Sequence, residues 1–250
     1  FCPDADDVVI VRTNPARDAQ ESPHLVLLDL LRILRSRGVR VFNDPAGLER
    51  ARSKLYLASV PRRFRPRTIV SRDAAIIRRF VDEAAGPTVL KPLVGTRGTD
   101  VFLLRPDRRA NLPQIIDVLV RSGFAMVQDY VPEAVEGDTR VLLLNGEPLT
   151  AGGKVAVVRR VPSGEDFRSN VHVGARPAAA EFTEQLREIT DAVGPGLKAD
   201  GLVLAGLDVI GGLIVEVNAF SPGGLHDANA FAGVDFTEPI LDYFEQATLD

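Results

Sequence analysis

The first 46 residues contain two apolar runs separated by an amphipathic segment. The stretches "DDVVIVR" (6–12) and "VRVFN" (39–43) each predict a buried strand. Between them, Ser22 is the expected N-cap of a helix and Gly38 marks its end. A strand, a helix and a strand in this order are typical of parallel sheets, so we interpret residues 1–46 as the end of a domain whose beginning is missing.

The rest of the chain alternates between strand and helix patterns without an internal repeat. Residues 47–131 predict helices near 46–60, 72–84 and 112–123, and strands near 67–71, 88–94, 101–105 and 125–131. Residues 132–250 predict strands 139–146 and 154–161, a polar loop 162–177, a helix 179–193, a glycine hairpin and a final helix 236–246. The fold class is therefore α+β, and we divide the chain into 1–46 and two subdomains, 47–131 and 132–250.

The hairpin "LDVIGGLIVEVN" (207–218) carries three oxygen-bearing side chains between apolar neighbours. Because side chains alternate along a strand, Glu216 and Asn218 share a face. A two-residue turn at Gly211–Gly212 leaves Glu216 on the face opposite Asp208, whereas a three-residue loop, Gly211–Leu213, pairs the two carboxylates. The sequence pattern alone leaves both turns open.

Two carboxylates and an amide oxygen on one face suit Mg²⁺, which prefers oxygen ligands and retains phosphates and waters in its other positions. The alternative is a solvated sheet face with scattered acids, which is common in antiparallel sheets. Apolar residues around the hairpin favour a central position and therefore the metal site.

Lys91 lies within the apolar strand "TVLKPLV" and precedes a loop with Gly95 and Gly98. A buried ammonium group needs an anion or access to water, and glycines allow backbone N–H groups to approach a phosphate closely. The spacing matches neither a Walker A loop nor GxGxxG, so an ordinary hairpin loop remains the alternative.

Arginines concentrate in the C-terminal half, at positions 140, 159, 160, 168 and 176. Guanidinium forks bind carboxylates and phosphates through two hydrogen bonds, which suits an anionic substrate and phosphoryl transfer. A solvated basic face is the alternative.

Composition narrows the class of protein without identifying it. The chain has 45% hydrophobic residues, a net charge of −4 and a single cysteine, Cys2. These values are typical of a globular protein of a reducing cytoplasm, with no nucleic acid or membrane as a main partner. The three histidines lack HExxH spacing and no GxSxG motif is present, so the common hydrolase sets are absent.

In combination, these motifs resemble the prokaryotic type of glutathione synthetase, a branch of the ATP-grasp superfamily of carboxylate–amine ligases. The resemblance extends from about Val8 to Glu245. It rests on the segments "VRTNP", "VFNDPAGLERARSKLY", "VLKPLVGTRGTDVF", "VQDYVP", "EGDTRVLLLNGEP", "RRVPSGEDFRSNVHVGAR" and "GLDVIGGLIVEVNAFSPGG".

The resemblance implies an ATP-grasp fold, in which two α+β subdomains hold ATP between them, after the tail of a Rossmann-like pre-ATP-grasp domain. It implies an ATP site in which the phosphates are bound by Lys54 and Lys91 and covered by a loop of Gly95, Thr96, Arg97, Gly98 and Thr99. A hinge strand reads adenine and consists of Gln128, Asp129, Tyr130 and Val131, and the acid Asp138 lies near the ribose.

The resemblance also assigns the metal and the substrate side. It implies Mg²⁺, with Mn²⁺ as a substitute, on Asp208, Glu216 and Asn218, and this requires the three-residue loop that pairs Asp208 with Glu216. The implied catalytic arginines are Arg140 and Arg160. The implied substrate-binding residues are Arg12, Arg168, Asn170, Arg176, Ser221, Gly223 and Gly224.

The implied activity is ATP-dependent amide formation through an acyl phosphate, with γ-glutamylcysteine and glycine as the first substrates to consider. The chain departs from the family pattern in "AFSPGGLHDANAF" after Asn218 and in an insertion around "TAGGK". These departures leave open a related ligase acting on another peptide or amino acid, or a nucleotide-binding module without turnover. Small-molecule substrates are expected in either ligase, and an oligomer of identical chains remains open.

Overall fold

The protein is described by a computed structural model that covers residues 3–13, 21–94, 99–121, 123–162 and 175–246. The helices are α1 (Glu21–Ser36), α2 (Pro45–Ala51), α3 (Ala74–Asp82), α4 (Leu112–Arg121), α5 (Glu184–Ala199), α6 (Leu225–Ala232) and α7 (Thr237–Gln246). Three short 3-10 helices span Lys54–Ser59, Arg62–Phe64 and Pro132–Glu136. Helical and strand segments are mixed, as the α+β prediction requires.

The first seven strands are β1 (Val8–Ile10), β2 (Arg40–Phe42), β3 (Thr68–Ser71), β4 (Thr88–Pro92), β5 (Phe102–Leu104), β6 (Ala125–Asp129) and β7 (Asp138–Leu144). The remaining strands are β8 (Glu147–Pro148), β9 (Thr150–Ala151), β10 (Lys154–Val155), β11 (Val157–Val161), β12 (Arg176–Ala179), β13 (Leu204–Ile210) and β14 (Leu213–Asn218).

These strands form two main antiparallel sheets and two small pairs. The four-stranded sheet has the order β3-β6-β4-β5, and the six-stranded sheet has the order β12-β11-β7-β13-β14 with β8 added beside β7. β1 and β2 pair in parallel, as predicted for a β-α-β unit, and β9 pairs with β10.

The four-stranded sheet has its own apolar core beneath α3 and α4. Asp73 caps α3 by accepting hydrogen bonds from the amides of Ala75 and Ile76. Ile77 of α3 and Ile116 of α4 then pack against Leu90 and Val127 of the sheet. The strand order places Lys91 of β4 and the predicted hinge strand β6 at the centre of the sheet.

A second core joins the N-terminal segments to the six-stranded sheet. Leu28 of α1, Leu48 of α2 and Tyr56 of the first 3-10 helix belong to the same buried cluster as Val141 of β7 and Leu207 of β13. Residues 45–64 thus pack with the C-terminal sheet, and the proposed division at residues 46 and 131 remains a prediction.

Several predicted elements differ from the structure. The helix expected near 46–60 is split, because the Ser53 side chain accepts a hydrogen bond from the Leu55 amide and begins a separate 3-10 helix. Helix α1 begins at Glu21, before the expected cap Ser22, and α5 begins at Glu184 rather than near 179. The predicted polar loop ends in β12, which pairs with β11, and α6 was not predicted.

Candidate functional site

The hairpin β13–β14 has a two-residue turn, so the predicted three-residue loop is wrong. Ile210 pairs with Leu213, and Gly211 and Gly212 have φ of 55° and 81°, which a type I′ turn requires. Val209 pairs with Ile214, but the next residue towards the start of β13, Asp208, pairs with Glu216, so Val215 is left out of the pairing as a β-bulge. Because the extra residue moves the pairing by one, Asp208 still lies opposite Glu216.

Asp208 is buried and accepts hydrogen bonds on both carboxylate oxygens. Its side chain is 3% exposed. Arg140 donates from Nε to Oδ1 at 2.7 Å and from Nη2 to Oδ2 at 2.8 Å. Asn218 Nδ2 lies 3.2 Å from the same Oδ2, so the predicted ligands Asp208 and Asn218 are in contact.

Arg160 links Asp208 to a second buried carboxylate, Asp138. Its Nε donates to Asp138 Oδ1 at 2.8 Å, and its Nη2 donates to Asp138 Oδ2 and lies 2.7 Å from Asp208 Oδ2. Asp138 was predicted to lie near the ribose of ATP, but its side chain is 3% exposed and directed towards Arg160.

Opposing effects set the charges of this cluster. Burial disfavours the charged form of Asp208, but Arg140 and Arg160 lower its pKa below the usual value. Burial and the negative charge of Asp208 raise the pKa of Asp138 to about 6, although Arg160 and Arg140 oppose that shift.

The two predicted phosphate-binding lysines approach the same region from another side. The Lys54 amide donates to the Leu93 carbonyl at 3.0 Å, which fixes the first 3-10 helix beside the end of β4. Lys91 is 9% exposed, and its Nζ lies 3.5 Å from the carbonyl oxygen of the bulge residue Val215. The bulge thus connects the four-stranded sheet to β14.

The ammonium groups of both lysines are electrostatically linked to the hairpin. Burial lowers the pKa of Lys91 to about 8; Glu216 and Asp208 oppose that shift, and Lys54 adds to it. Burial also lowers the pKa of Lys54, again against Glu216. A buried cation, Lys91, and a half-buried one, Lys54, beside carboxylates create a site that favours an additional anion, such as a phosphate.

The predicted adenine-reading strand uses most of its polar groups internally. The Gln128 side chain donates to Thr68 Oγ1 at 3.0 Å, and the Asp129 carboxylate pairs with Arg67. The amides of Asp129 and Tyr130 donate to the carbonyls of Arg67 and Pro87. Val131 follows as the residue before a 3-10 helix.

The predicted substrate-binding residues are only partly assembled around the arginines. Arg140 Nη1 lies 3.5 Å from the Gly223 carbonyl, and Gly224, with φ of 100°, precedes α6 beside Arg140. Ser221 is half-buried in the same segment. Arg12 lies at a separate small pocket lined by Asn43, Phe42 and Phe220, and Arg176 is exposed at the start of β12.

Some predicted residues lie outside the described ranges. These are Gly95, Thr96, Arg97 and Gly98 of the phosphate loop, and Arg168 and Asn170 of the substrate loop. Thr99, the last residue of the predicted phosphate loop, is exposed.

The donor set at the hairpin fits Mg²⁺. Asp208 and Glu216 are directly paired, Asn218 lies beside Asp208, and Mg²⁺ is usually held by one or two carboxylates together with substrate phosphates. No group of three or more His, Cys, Asp or Glu side chains suited to a metal occurs among the described residues. A metal at the hairpin therefore needs oxygen atoms from Asn218, water or a bound phosphate as well.

Two contributors to the site were missed from the sequence. Asn43 is 4% exposed and donates to the carbonyls of Leu204 and Ala219 at 2.8 and 2.7 Å, which fixes the chain directly after Asn218. A polar residue between an apolar strand and Asp44-Pro45 was its only signal. The Val215 carbonyl carried no signal, because a backbone group does not depend on residue type.

Comparison with known proteins identifies the family of the chain. A family model described as "Prokaryotic glutathione synthetase, ATP-grasp domain" matches residues 53–233. Glutathione synthetase of Synechococcus elongatus is 41% identical over 218 residues, which cover 86% of this chain and 65% of that protein. The enzyme of Nostoc sp. is 37% identical over 243 residues, covering 96% of this chain and 71% of that protein. The chain spans 65% and 61% of the length of the Synechococcus elongatus and Thermosynechococcus vestitus relatives.

Solved structures share the fold at low sequence identity. The ATP-grasp ligase PsnB in complex with a minimal precursor has a TM-score of 0.66 at 21% identity, covering 97% of this chain and 79% of that one. D-alanine–D-alanine ligase of Bacillus anthracis has a TM-score of 0.61 at 18% identity, covering 87% and 74%. The structure therefore has the ATP-grasp fold, and the chain belongs to the prokaryotic glutathione synthetase family, with the family's ATP-grasp domain at residues 53–233.

Proposed function

We propose that this chain forms the ATP-binding and catalytic part of a carboxylate–amine ligase that makes an amide bond through an acyl phosphate. The observation that carries the proposal is the convergence of Lys54 and Lys91 on the hairpin carboxylates, beside Arg140 and Arg160. Membership of the glutathione synthetase family supports it, as does a solved structure of the ATP-grasp ligase PsnB in complex with Mg and ADP.

The proposed reaction has two balanced steps. A carboxylate oxygen of the donor attacks the γ-phosphorus of ATP, giving an acyl phosphate and ADP. The amine of the acceptor then attacks the acyl carbon, the C–O bond to phosphate breaks and the nitrogen loses a proton, which gives an amide, inorganic phosphate and H⁺. Catalysis of phosphoryl transfer depends mainly on positioning and electrostatic stabilisation.

Each group of the site has a role in this scheme. Lys54 and Lys91 bind phosphate oxygens, and the burial of Lys91 and partial burial of Lys54 strengthen that attraction. When bound at Asp208, Glu216 and Asn218, Mg²⁺ would neutralise charge on the phosphates. Arg140 and Arg160 stabilise the charge of the donor carboxylate and of the transferring phosphoryl group.

The adenine would be read by the backbone at the end of the hinge strand. Since the Asp129 and Tyr130 amides already donate within the protein, their carbonyl oxygens and the Val131 backbone are the groups that we assign to the adenine edge. The loops that contain Gly95, Thr96, Arg97 and Gly98, and Arg168 and Asn170, would exclude water from the acyl phosphate.

The leading substrates are γ-glutamylcysteine as carboxylate donor and glycine as amine. A related ligase with other substrates is the second candidate, because Ser221–Gly224 contacts Arg140 and departs from the family pattern. Arg12 and Arg176 are proposed substrate contacts in either case. We further propose a cytoplasmic location, Mn²⁺ as a substitute for Mg²⁺, and assembly of identical chains into an oligomer. Within the described ranges, no helix has the length and apolarity needed to cross a membrane.

The test is ADP release by the purified protein with Mg²⁺ and ATP. If the leading substrates are right, release requires both γ-glutamylcysteine and glycine and stops when either is omitted. Release with another dipeptide or acceptor amino acid in the same assay, but not with this pair, would establish the second candidate. If the protein binds ADP but releases none with every tested pair of carboxylate donor and amine acceptor, it is a non-catalytic module.

A further inference from the structure

Arg160 lies between two buried carboxylates that belong to neighbouring strands. In the register of β11 and β7, Arg160 is directly opposite Asp138, and in the register of β13 and β7, Asp208 is directly opposite Arg140. Positions 138 and 140 face the same side of β7, so the two arginine–carboxylate pairs lie side by side. Two cations thus neutralise two carboxylates inside the protein.

Asp208 is shared between these arginines and the proposed metal. Its Oδ2 accepts from Arg140 Nη2 at 2.8 Å, lies 2.7 Å from Arg160 Nη2, and faces Asn218 Nδ2 at 3.2 Å. Its Oδ1 accepts from Arg140 Nε at 2.7 Å. Oδ2 therefore has no lone pair left for a metal, and a metal bound at Oδ2 requires a donor to leave, whereas Oδ1 keeps one lone pair.

Asp138 gives Arg160 a second acceptor that does not depend on the metal. Arg160 donates through both Nε and Nη2 to Asp138, whereas Asp208 is approached by Nη2 alone. The two-point contact is the stronger of the two, since paired N–H groups match both carboxylate oxygens. Arg160 therefore has a strong partner to keep when its contact with Asp208 is lost.

We propose that Asp138 is a positioning residue that holds Arg160 and thereby allows Asp208 Oδ2 to be released to Mg²⁺. This inference rests on the proposed function of the site. Without the Asp138 charge, Asp208 is the carboxylate that Arg160 still contacts among the described residues, and the region next to the metal gains a net positive charge. Both effects weaken metal binding, and loss of a residue that orients a metal ligand typically costs about 10- to 100-fold in metal affinity.

This role differs from a position near the ribose, which the family resemblance implied for Asp138. Both Asp138 oxygens accept from Arg160, and the side chain is 3% exposed. A ribose contact would contribute to nucleotide affinity with or without metal. A positioning role would contribute only when metal is present, so the two are separable by experiment.

The experiment is a titration with a fluorescent ADP analogue, carried out in EDTA and at increasing Mg²⁺ concentrations. The wild-type protein is compared with Asp138→Asn, with the double variant Asp138→Asn/Arg160→Met, and with Glu136→Gln. Glu136 pairs with Arg159 at 3.0 Å and is exposed, so its variant removes a carboxylate–arginine pair near Asp138 without entering the buried cluster. Circular dichroism and thermal unfolding establish that each variant is folded.

For Asp138→Asn, we expect affinity in EDTA within about twofold of wild type and a half-saturating Mg²⁺ concentration raised about 10- to 100-fold. The double variant should return that concentration to the wild-type value or below, because the competing guanidinium is gone. Glu136→Gln should match wild type, since exposed ion pairs contribute little.

Other outcomes overturn the inference. An unchanged Mg²⁺ dependence in Asp138→Asn, or an equal loss of affinity in EDTA, contradicts the positioning role. If Asp138→Asn does not fold, the double variant Asp138→Asn/Arg160→Met decides: a higher Mg²⁺ requirement than that of wild type contradicts the positioning role. Failure of the wild-type protein to bind the analogue at all would instead refute the proposed function, and this inference with it.

Discussion

Lys91 is the residue whose environment most directly indicates an anionic ligand. A buried ammonium group is costly without a negative partner, and burial lowers its pKa to about 8 in spite of Glu216 and Asp208. Below that pH the side chain is charged, and above it the charge is lost. A bound phosphate favours the charged form and would raise the pKa again.

Nucleotide binding should therefore weaken with rising pH. In EDTA, we expect ADP affinity to fall between about pH 8 and pH 10, by at most tenfold per unit for one linked proton. Fluorescence titration across this range measures it. Lys91→Arg is the matched variant, because a guanidinium stays charged; its profile should be shallower than that of wild type, and Lys54 contributes the dependence that remains. A flat wild-type profile would contradict the assignment of Lys91 to the phosphates.

Glu216 should separate metal binding from nucleotide binding. We expect Glu216→Gln to retain ADP binding in EDTA but to lose Mg²⁺-dependent ADP release by about 100-fold or more, the scale of losing a preorganised electrostatic group. Glu147→Gln changes an exposed acid of the same sheet and should be active. Full activity in Glu216→Gln would exclude it as a ligand.

At the residue scale, the sequence predicted which side chains share the hairpin face but not how they are held. The alternation of side chains along a strand predicted that Glu216 and Asn218 share a face, and the predicted pairing of Asp208 with Glu216 is confirmed. The contacts of Arg160 with two carboxylates were beyond sequence analysis, because they depend on the register of three strands. The predicted ATP, metal and substrate roles of individual residues remain predictions.

At the element scale, the bulge in β14 decides which face Glu216 occupies. Period-two patterns do not reveal a bulge, which explains why a longer turn was predicted instead. Helix α6 was missed because it has one buried residue, Ala228, and begins after Gly224 without a side-chain cap. Strand β12 was missed because "RPAA" does not alternate, and its pairing with β11 defines it.

Single-residue deletions should identify Val215 as the residue outside the ladder. Removing Val215 leaves Asp208 opposite Glu216 in a regular ladder, so we expect the variant to keep Mg²⁺-dependent tightening of ADP binding. Removing Val217 instead moves Asn218 to the other face, and the Mg²⁺ requirement should rise at least about tenfold. Equal behaviour of the two variants in the same titration would contradict the observed register.

At the scale of the whole molecule, the N-terminal segments are built into the core of the C-terminal sheet. Leu28, Leu48 and Tyr56 share that core with β7 and β13, while Asn43 connects β2 to the ends of β13 and β14. Sequence patterns predicted the parallel pairing of β1 and β2 and the α+β class. They did not predict this packing, since contacts between residues more than 100 positions apart have no local signature.

Loss of Asn43 should destabilise the entire molecule. Asn43→Ala leaves two carbonyls and the Leu204 amide without their partner in a buried region, so we expect the free energy of unfolding to fall by about 2–4 kcal/mol. Urea denaturation measures the change. Gln114→Ala, at an exposed position of α4, should change it by less than about 0.5 kcal/mol; a similar small effect of Asn43→Ala would contradict a role in joining the strands.

The bulge at Val215 also determines how the hairpin tip tolerates changes in length. Seven residues separate Asp208 from Glu216, an odd number that a two-residue turn accommodates only with one residue outside the ladder. In a relative with one residue fewer or one more between these two positions, a regular ladder without the bulge would still place the second carboxylate on the same face as the first. Single-residue insertions and deletions, which would invert an ordinary strand, are therefore compatible with this site.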